Sequence, residues 1–322
     1  IGGTKTILRL VQTDGSSLAS DCNVLHEQRF VSSDYADLVP MVKDFLTAAP
    51  VAAQPQTACF AIAGPVVNSR SQLTNLAWSL NSDRIADDLG LKTVGLINDF
   101  AAVGYGVLGL TSDDIYTLQP GTPNGKAPIA IIGAGTGLGQ GFLINCAGQY
   151  RVFPSEGGHV DFAPRSELEF QLLYYLLEKH AISRVSVERV VSGQGIVSIY
   201  QFLRDRSFAT ESEELAAIIR SWEQSAGNRS QVADPAAAIS KAATTDRLAG
   251  RTMEIFIDAY GAAAGNLALT LLPYGGLYAA GGVPAKNMSP IRQGRFLSAF
   301  GHKGRMSPLF KDVAVHLVVN QS

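Results

Sequence analysis

Only three of the 322 residues are cysteine, Cys22, Cys59 and Cys146, and they stand far apart. That spacing makes neither a disulfide framework nor a CxxC zinc site. It points to a reducing compartment, so a cytoplasmic location is expected. Charge is sparse too: 26 Lys and Arg against 28 Asp and Glu leave a formal net charge of -2. With no long basic run, nothing draws the chain to nucleic acid or to an anionic membrane, and neither is expected as a partner. No signal-peptide pattern is visible. Clean apolar runs of membrane length are missing. The longest apolar stretch, from about Ala259 to Gly282, is broken by Asn266, Pro273 and several glycines. It reads as a buried helix followed by a buried strand. Within it Gly261 and Gly265 match the GxxxG pattern, whose ordinary role in a globular protein is close helix packing. Finally, no GK[ST] tripeptide occurs anywhere, which excludes a Walker A loop.

What is present is 46% apolar and 17% charged residues, the balance of a globular protein. The chain is long enough for two domains. Thr6–Val11 reads as a strand, with Asp14-Gly15 as a hairpin turn after it. Tyr35–Ala49 carries apolar residues at helical spacing. Thr57–Ala63 reads as a buried strand stopped by Gly64-Pro65. Ser82–Leu89 is a short helix, Thr93–Ile97 a strand, and Asn98-Asp99 opens a helix to about Leu108. Strands alternating with helices predict an α/β fold with a largely parallel sheet. Thr111–Pro128, rich in Pro, Gly, Thr and Asp, is expected to be a loose crossing between domains. After it come a strand at Ile129–Ile132, then helices at Leu168–His180, Gly195–Arg204 and Leu215–Ser225. Asp234-Pro235 has the form of an N-cap with Pro at the first helical position. A long helix from about Arg251 to Leu272 leads to a strand at Gly276–Ala280 and then Gly281-Gly282.

Two glycine-threonine turns, Gly2-Gly3-Thr4 and Gly133-Ala-Gly135-Thr136-Gly137-Leu-Gly139, have the chemistry of anion cradles. Glycines let backbone N–H groups come close to phosphate oxygens, and the threonine hydroxyls add donors. The second is no GxGxxG fingerprint, because Leu138 and Gln140 stand where the third glycine would fall. Any one such cluster is more often a tight hairpin. Two of them, each followed by an alternating strand, together with Gly281-Gly282 after a strand, favour a nucleotide.

Asp99 follows a buried strand and starts a helix. There it could be an N-cap, or a carboxylate at the ligand-facing end of a parallel strand, where it could accept the proton of an attacking hydroxyl. Glu156 and His159 flank two glycines. They lack further ligands at zinc-like spacing but suit sugar hydroxyls, which donate and accept. Glu188, before Val190-Val191 and Ser192-Gly193, is a third candidate, although alone it would read as a surface charge. Leu73-Thr-Asn75-Leu-Ala-Trp78 offers an amide and an aromatic.

These motifs occur in the order Gly2-Gly3-Thr4, Ala63-Gly-Pro65, Leu73–Trp78, Ile97-Asn98-Asp99-Phe100, Gly133–Gly139, Glu156-Gly-Gly-His159-Val-Asp-Phe162, Glu188-Arg-Val-Val-Ser-Gly193 and Ala279-Ala-Gly-Gly282. The chain thereby resembles the bacterial glucokinase family over nearly its whole length. The resemblance implies a two-domain actin-like (ribonuclease-H-like, hexokinase-type) α/β fold with an active-site cleft between the domains. Residues 1–110 plus about 301–322, including a C-terminal helix, would form the small domain, and residues 111–300 the large one. It also implies a homodimer that phosphorylates glucose at its 6-hydroxyl with ATP and Mg2+. Carried over by position, Asp99 is the catalytic base and Asn75, Asn98, Glu156, His159 and Glu188 hold the sugar. Gly2, Gly3, Thr4, Gly133, Gly135, Thr136 and Gly137 cradle the phosphates, and Gly281 and Gly282 lie by the adenosine. No protein metal ligand is assigned. The family carries an Asp immediately before Ile-Gly-Gly-Thr. This sequence opens after that position, so a few upstream residues, including most of a first strand, are expected to precede Ile1. The related ROK kinases share Glu-x-Gly-His but follow it with a cysteine-rich zinc motif, whereas no cysteine follows His159 here. A glucose sensor without catalysis would have no need of Asp99.

Overall fold

The structure is a computed structural model that describes residues 1, 5–13, 23–50, 54–73, 76–225 and 232–320. The hairpin expected at Asp14-Gly15 lies outside them. The chain divides into two compact units, residues 1–110 with 152–154, and residues 111–151 with 155–322.

In the first unit strand β1 (Lys5–Gln12) buries Thr6, Leu8 and Leu10 and turns the residues between them outward, the period-2 pattern of a half-buried strand. It pairs antiparallel with β2 (Asn23–Val31). Helix α1 (Leu38–Ala48) is capped by Asp37, whose carboxylate accepts the Leu38 N–H at 2.7 Å. Strands β3 (Thr57–Ile62), β4 (Arg70–Gln72) and β5 (Ser79–Asn81) follow. Helix α2 (Ser82–Leu89) starts on the Asn81 cap and ends at Gly90, whose φ of +67° suits a residue without Cβ. Strand β6 (Thr93–Asn98) lies parallel to β3 and leads directly into α3 (Asp99–Val107). On α3, Gly104 leaves the space that Val152 fills, since a Cβ there would collide with the valine. The core gathers Phe30, Leu38, Met41, Phe45, Ile62, Leu80 and Ile85. The strand expected to be buried at Thr57–Ala63 is only half so: Phe60 and Ile62 face the core while Thr57 and Cys59 are exposed.

The second unit is built on β7 (Ile115–Gln119), β8 (Ile129–Ala134), β9 (Leu138–Cys146) and, apart from its residues 152–154, β10 (Gln149–Ser155). Helices α4 (Glu167–His180), α5 (Gly193–Asp205), α6 (Glu213–Gln224), α7 (Pro235–Ala242) and α8 (Arg247–Leu271) follow. The chain then adds β11 (Leu277–Ala280), α9 (Gly282–Lys286), α10 (Met288–Arg292), α11 (Arg295–Gly301) and β12 (Val315–Val318). Six strands form one sheet in the order β10-β9-β8-β11-β12-β7. The sheet is mixed rather than largely parallel: β8, β11 and β12 run parallel, with β9 antiparallel to β8 and β7 antiparallel to β12. Every residue of β8 is buried, as its unbroken apolar run requires of a strand covered on both faces.

Two expectations are corrected here. The loose segment Thr111–Pro128 contains β7, an edge strand whose half-buried pattern is masked by the Pro- and Gly-rich flanks. The described residues of the 301–322 segment do not join the first unit. Val315–Val318 lies between β11 and β7 in the second unit's sheet, and 3₁₀ turns, not an α-helix, occupy Gly304–Asp312. The GxxxG reading holds: Cβ atoms on Gly261 or Gly265 of α8 would collide with the Phe296 and Phe300 carbonyl oxygens of α11. The backbones therefore touch, and Arg295 clamps the pair through Asp258 at 2.6 Å. Tyr260, fully buried, ties α8 to β8 by donating to the Ile132 carbonyl at 3.1 Å. No helix among the described residues is long and apolar enough to cross a membrane.

His316 of β12 shares a 3.0 Å hydrogen bond with Thr117 and packs on Tyr278, ring centroids 4.9 Å apart. Burial pushes its imidazole below the ordinary 6.5. As pH falls through 6.5, the unfolded chain takes up a proton that the folded chain refuses, so stability is lost towards acid. Thermal melts between pH 7.5 and 5 should show a steeper acid loss for the wild type than for His316→Phe.

Candidate active site

The first unit contributes the β6–α3 junction. Asn98 caps α3, its Oδ1 accepting the N–H groups of Phe100 at 2.8 Å and Ala101 at 3.2 Å, while Nδ2 donates to the Gly64 carbonyl at 3.1 Å. The cap role open to Asp99 thus belongs to its neighbour, because Asn98 has the extended backbone of a cap and Asp99 is the first helical residue. Asp99 Oδ1 accepts the Phe100 N–H at 2.9 Å, and no side-chain cation pairs with it among the described residues. Although solvent reaches it, the surrounding protein strips enough water to push its carboxyl above the ordinary 3.8, against the Phe100 N–H that favours the charged form. A carboxylate held at a helix start, with its pKa raised above the ordinary value by burial, is suited to take a proton. Gly2, Gly3, Thr4 and Asn75 lie outside the described residues. Trp78 is no sugar platform: it is 2% exposed, and its Nε1–H donates to the Tyr35 carbonyl at 3.0 Å.

In the second unit β8 and β9 are joined by the turn Gly135-Thr136-Gly137. Gly133 is not in that turn. It lies within β8, paired with both Gly139 and Ala280. Gly135 and Thr136 border a cavity of about 1210 Å³ that is also lined by Gly193, Gln194, Ser240, Lys241, Gly282 and Asn287. The Gly193 N–H donates to the Gly135 carbonyl at 2.8 Å, fastening the turn to the start of α5. Gly281 has φ +97°, and a Cβ on it would stand 2.5 Å from the Ala134 carbonyl oxygen, so only glycine brings α9 this close to β8. Gly282 faces open space at the cavity. Gly282 of this lining is flagged by the sequence, but Ser240 and Lys241 of α7 and Asn287, just after α9, carry no motif, although Asp234-Pro235 marks the start of α7.

The 3₁₀ turn Gly157–His159 rests against β9. A Cβ on Gly158 would overlap the Leu138 carbonyl oxygen, and one on Gly157 would overlap the Gln140 side-chain oxygen. Backbone approach therefore demands glycine at 158, whereas Gly157 leaves room for the Gln140 side chain. Arg184, also unforeseen, holds the turn by donating to the His159 carbonyl at 2.6 Å and to Asp161 at 2.9 Å. His159 stands between two carboxylates, 3.8 Å from Glu156 and 4.0 Å from Glu188. Those separations exceed direct hydrogen bonds. With side chains 71% and 57% exposed, Glu156 and His159 are open to a ligand. Glu188, 31% exposed, is anchored instead, accepting the Leu138 N–H at 2.8 Å. One face thus offers two carboxylates and an imidazole, a donor and acceptor set matched to a polyhydroxyl ligand. No group of three or more His, Cys, Asp or Glu among the described residues forms a metal cluster.

The Glucokinase family model matches residues 1–322. The chain belongs to the glucokinase family. It is 60% identical over 322 residues to the glucokinase of Trichormus variabilis, covering 99% of this chain and 93% of that protein. The crystal structure of a glucokinase from an Antarctic psychrotroph superimposes with a TM-score of 0.80 at 30% identity, over 99% of this chain and 92% of that one. A ROK family glucokinase from Streptomyces griseus, crystallised with glucose and AMPPNP, shares the fold with a TM-score of 0.57 at 22% identity, covering 91% and 86% of the two chains. The fold is the actin-like, hexokinase-type α/β fold of sugar kinases, and the family's activity is ATP-dependent phosphorylation of glucose.

Proposed function

We propose that the chain transfers the γ-phosphoryl group of ATP to the 6-hydroxyl of glucose with Asp99 as general base. The hydroxyl oxygen attacks phosphorus, the bond from phosphorus to the β,γ-bridging oxygen breaks to release ADP, and the hydroxyl proton passes to Asp99. Phosphoryl transfer asks a protein for position and charge neutralisation more than for covalent chemistry. The observation that carries this reading is the grouping of Glu156, His159 and Glu188 on one accessible face, joined through Leu138 to the glycine turn that borders the cavity.

In this reading those three side chains hold the sugar hydroxyls, and Asn98 adds the amide hydrogen that Gly64 does not take. Gly135, Thr136 and Gly137 face the phosphates, while Gly281 and Gly282 lie by the adenosine. Asn75, Gly2, Gly3 and Thr4 keep the roles that the resemblance assigns them. Mg2+ would be carried by the nucleotide, whose phosphate oxygens are the hard ligands it favours, and would supply charge neutralisation there. A homodimer in the cytoplasm completes the proposal.

The test is ADP release by the full-length protein with Mg-ATP and a panel of hexoses that includes mannose and N-acetylglucosamine. Strong turnover with glucose is expected. Calorimetric glucose binding with no ADP release from any hexose would overturn the reading in favour of a sensor.

A further inference from the structure

Gly137 and Gly135 sit in the same turn yet lack side chains for different reasons. Around Gly135 a Cβ would meet nothing within 4 Å, whereas one on Gly137 would collide with Glu188 Oε2 and lie 3.2 Å from its Cδ. Neither glycine has a φ in the left-handed region, so turn conformation does not explain Gly137. Space for Glu188 does.

The two oxygens of Glu188 are divided between tasks. Oε2 accepts the Leu138 N–H at 2.8 Å, at the end of the turn, in a charge-assisted bond. Oε1 faces His159 Nδ1 at 4.0 Å. Leu138 is held from its other side as well, because its carbonyl oxygen abuts Gly158, beside His159. One residue of β9 therefore touches both the carboxylate and the turn that present the sugar-holding groups, immediately after the turn whose Gly135 and Thr136 border the cavity.

We infer that Gly137 is a positioning residue that seats Glu188 against the phosphate turn, so that glucose and nucleotide bind cooperatively. The inference rests on the proposed roles of Glu188 and of the turn. A sugar hydroxyl on Oε1 restricts the carboxylate, which holds Oε2 on the Leu138 N–H and orders Gly135–Gly137 before the phosphates arrive. By linkage, the nucleotide tightens glucose binding by the factor that glucose tightens nucleotide binding.

Calorimetry on the full chain gives the Kd of AMPPNP with and without saturating glucose. The wild-type ratio is expected at about 5-fold or more, within the usual range of coupling between sites. Gly137→Ala should bring it close to one, while Glu188→Gln, which keeps the shape and an oxygen for Leu138, retains part of it. The discriminating measurement is a double-mutant cycle on AMPPNP affinity and Tm. In a Glu188→Ala background, Gly137→Ala should cost nothing further, because the group it collides with is gone.

A wild-type ratio of one overturns the inference. So does a Gly137→Ala cost that is equal in both backgrounds, which is the result expected if Gly137 merely clears space for phosphate. If Gly137→Ala alone does not fold, a folded double variant supports the inference and an unfolded one overturns it. Glu188→Ala binding glucose like the wild type would instead remove Glu188 from the sugar site, while the Tm cycle still reports on the Gly137–Glu188 contact.

Discussion

Asp99→Asn lowers kcat by about 10²–10⁴-fold, the usual cost of removing a general base, while glucose continues to bind. The substitution is chosen for what it keeps. Asparagine retains an oxygen for the Phe100 N–H that Asp99 now accepts at 2.9 Å, and the Asn98 cap that starts α3 is untouched. Only the capacity to take a proton is removed. Burial raises the carboxyl above its ordinary 3.8, so the acid limb of wild-type kcat/KM should fall at a pH above that value and vanish in the variant. Stability moves the other way. A carboxyl raised in the folded state contributes stability at low pH that is lost as pH rises through the folded pKa. At neutral pH the variant should therefore melt no lower than the wild type. Near-full turnover with normal glucose affinity would remove Asp99 from its role as base.

Gly281→Ala should weaken nucleotide binding by well over tenfold and leave glucose binding intact. Two costs add at this position. The φ of +97° with ψ of 166° lies in a region that is essentially open to glycine alone and strains any other residue by about 1–3 kcal/mol. The new methyl would also stand 2.5 Å from the Ala134 carbonyl oxygen, and overpacking of this kind costs about 1–3 kcal/mol. The relief available is movement of α9 away from β8, which shifts Gly282 and its neighbours at the cavity. Fluorescence titration with AMPPNP, beside calorimetry with glucose alone, separates the two sites. Equal losses for both ligands would mean that the damage is global.

Much of the architecture is legible residue by residue. The apolar run at Ile129–Ile132 has no polar alternation and so must be a strand covered on both faces, as β8 is. Asp234-Pro235 starts α7 with its carboxylate on the Ala236 and Ala237 N–H groups. Elements without such local signals were lost. β7 and β12 are short and lie side by side although about 200 residues apart, as in the Thr117–His316 hydrogen bond. Neither has a pattern that names its partner. Trp78 looked available for a ligand because an aromatic reads alike on a surface and in a core. Its burial is decided by α1, α2 and the Tyr35 carbonyl packing around it.

The sequence by itself determined the chemical inventory: glycines where backbone must approach backbone or phosphate, carboxylates and an imidazole for hydroxyls, and a polar and charged residue pair at the end of a strand. Those are properties of residue type and local order. Only the tertiary structure decided how the inventory is divided. It made Asn98 the cap and raised the Asp99 carboxyl above its ordinary pKa by burial, and it laid the C-terminal strand in the second unit's sheet. It also carried Glu188 across 50 residues to the Leu138 N–H. A carboxylate's partner, its desolvation and the space a glycine leaves for it are set by atoms distant in sequence, and a linear pattern holds no distance between them.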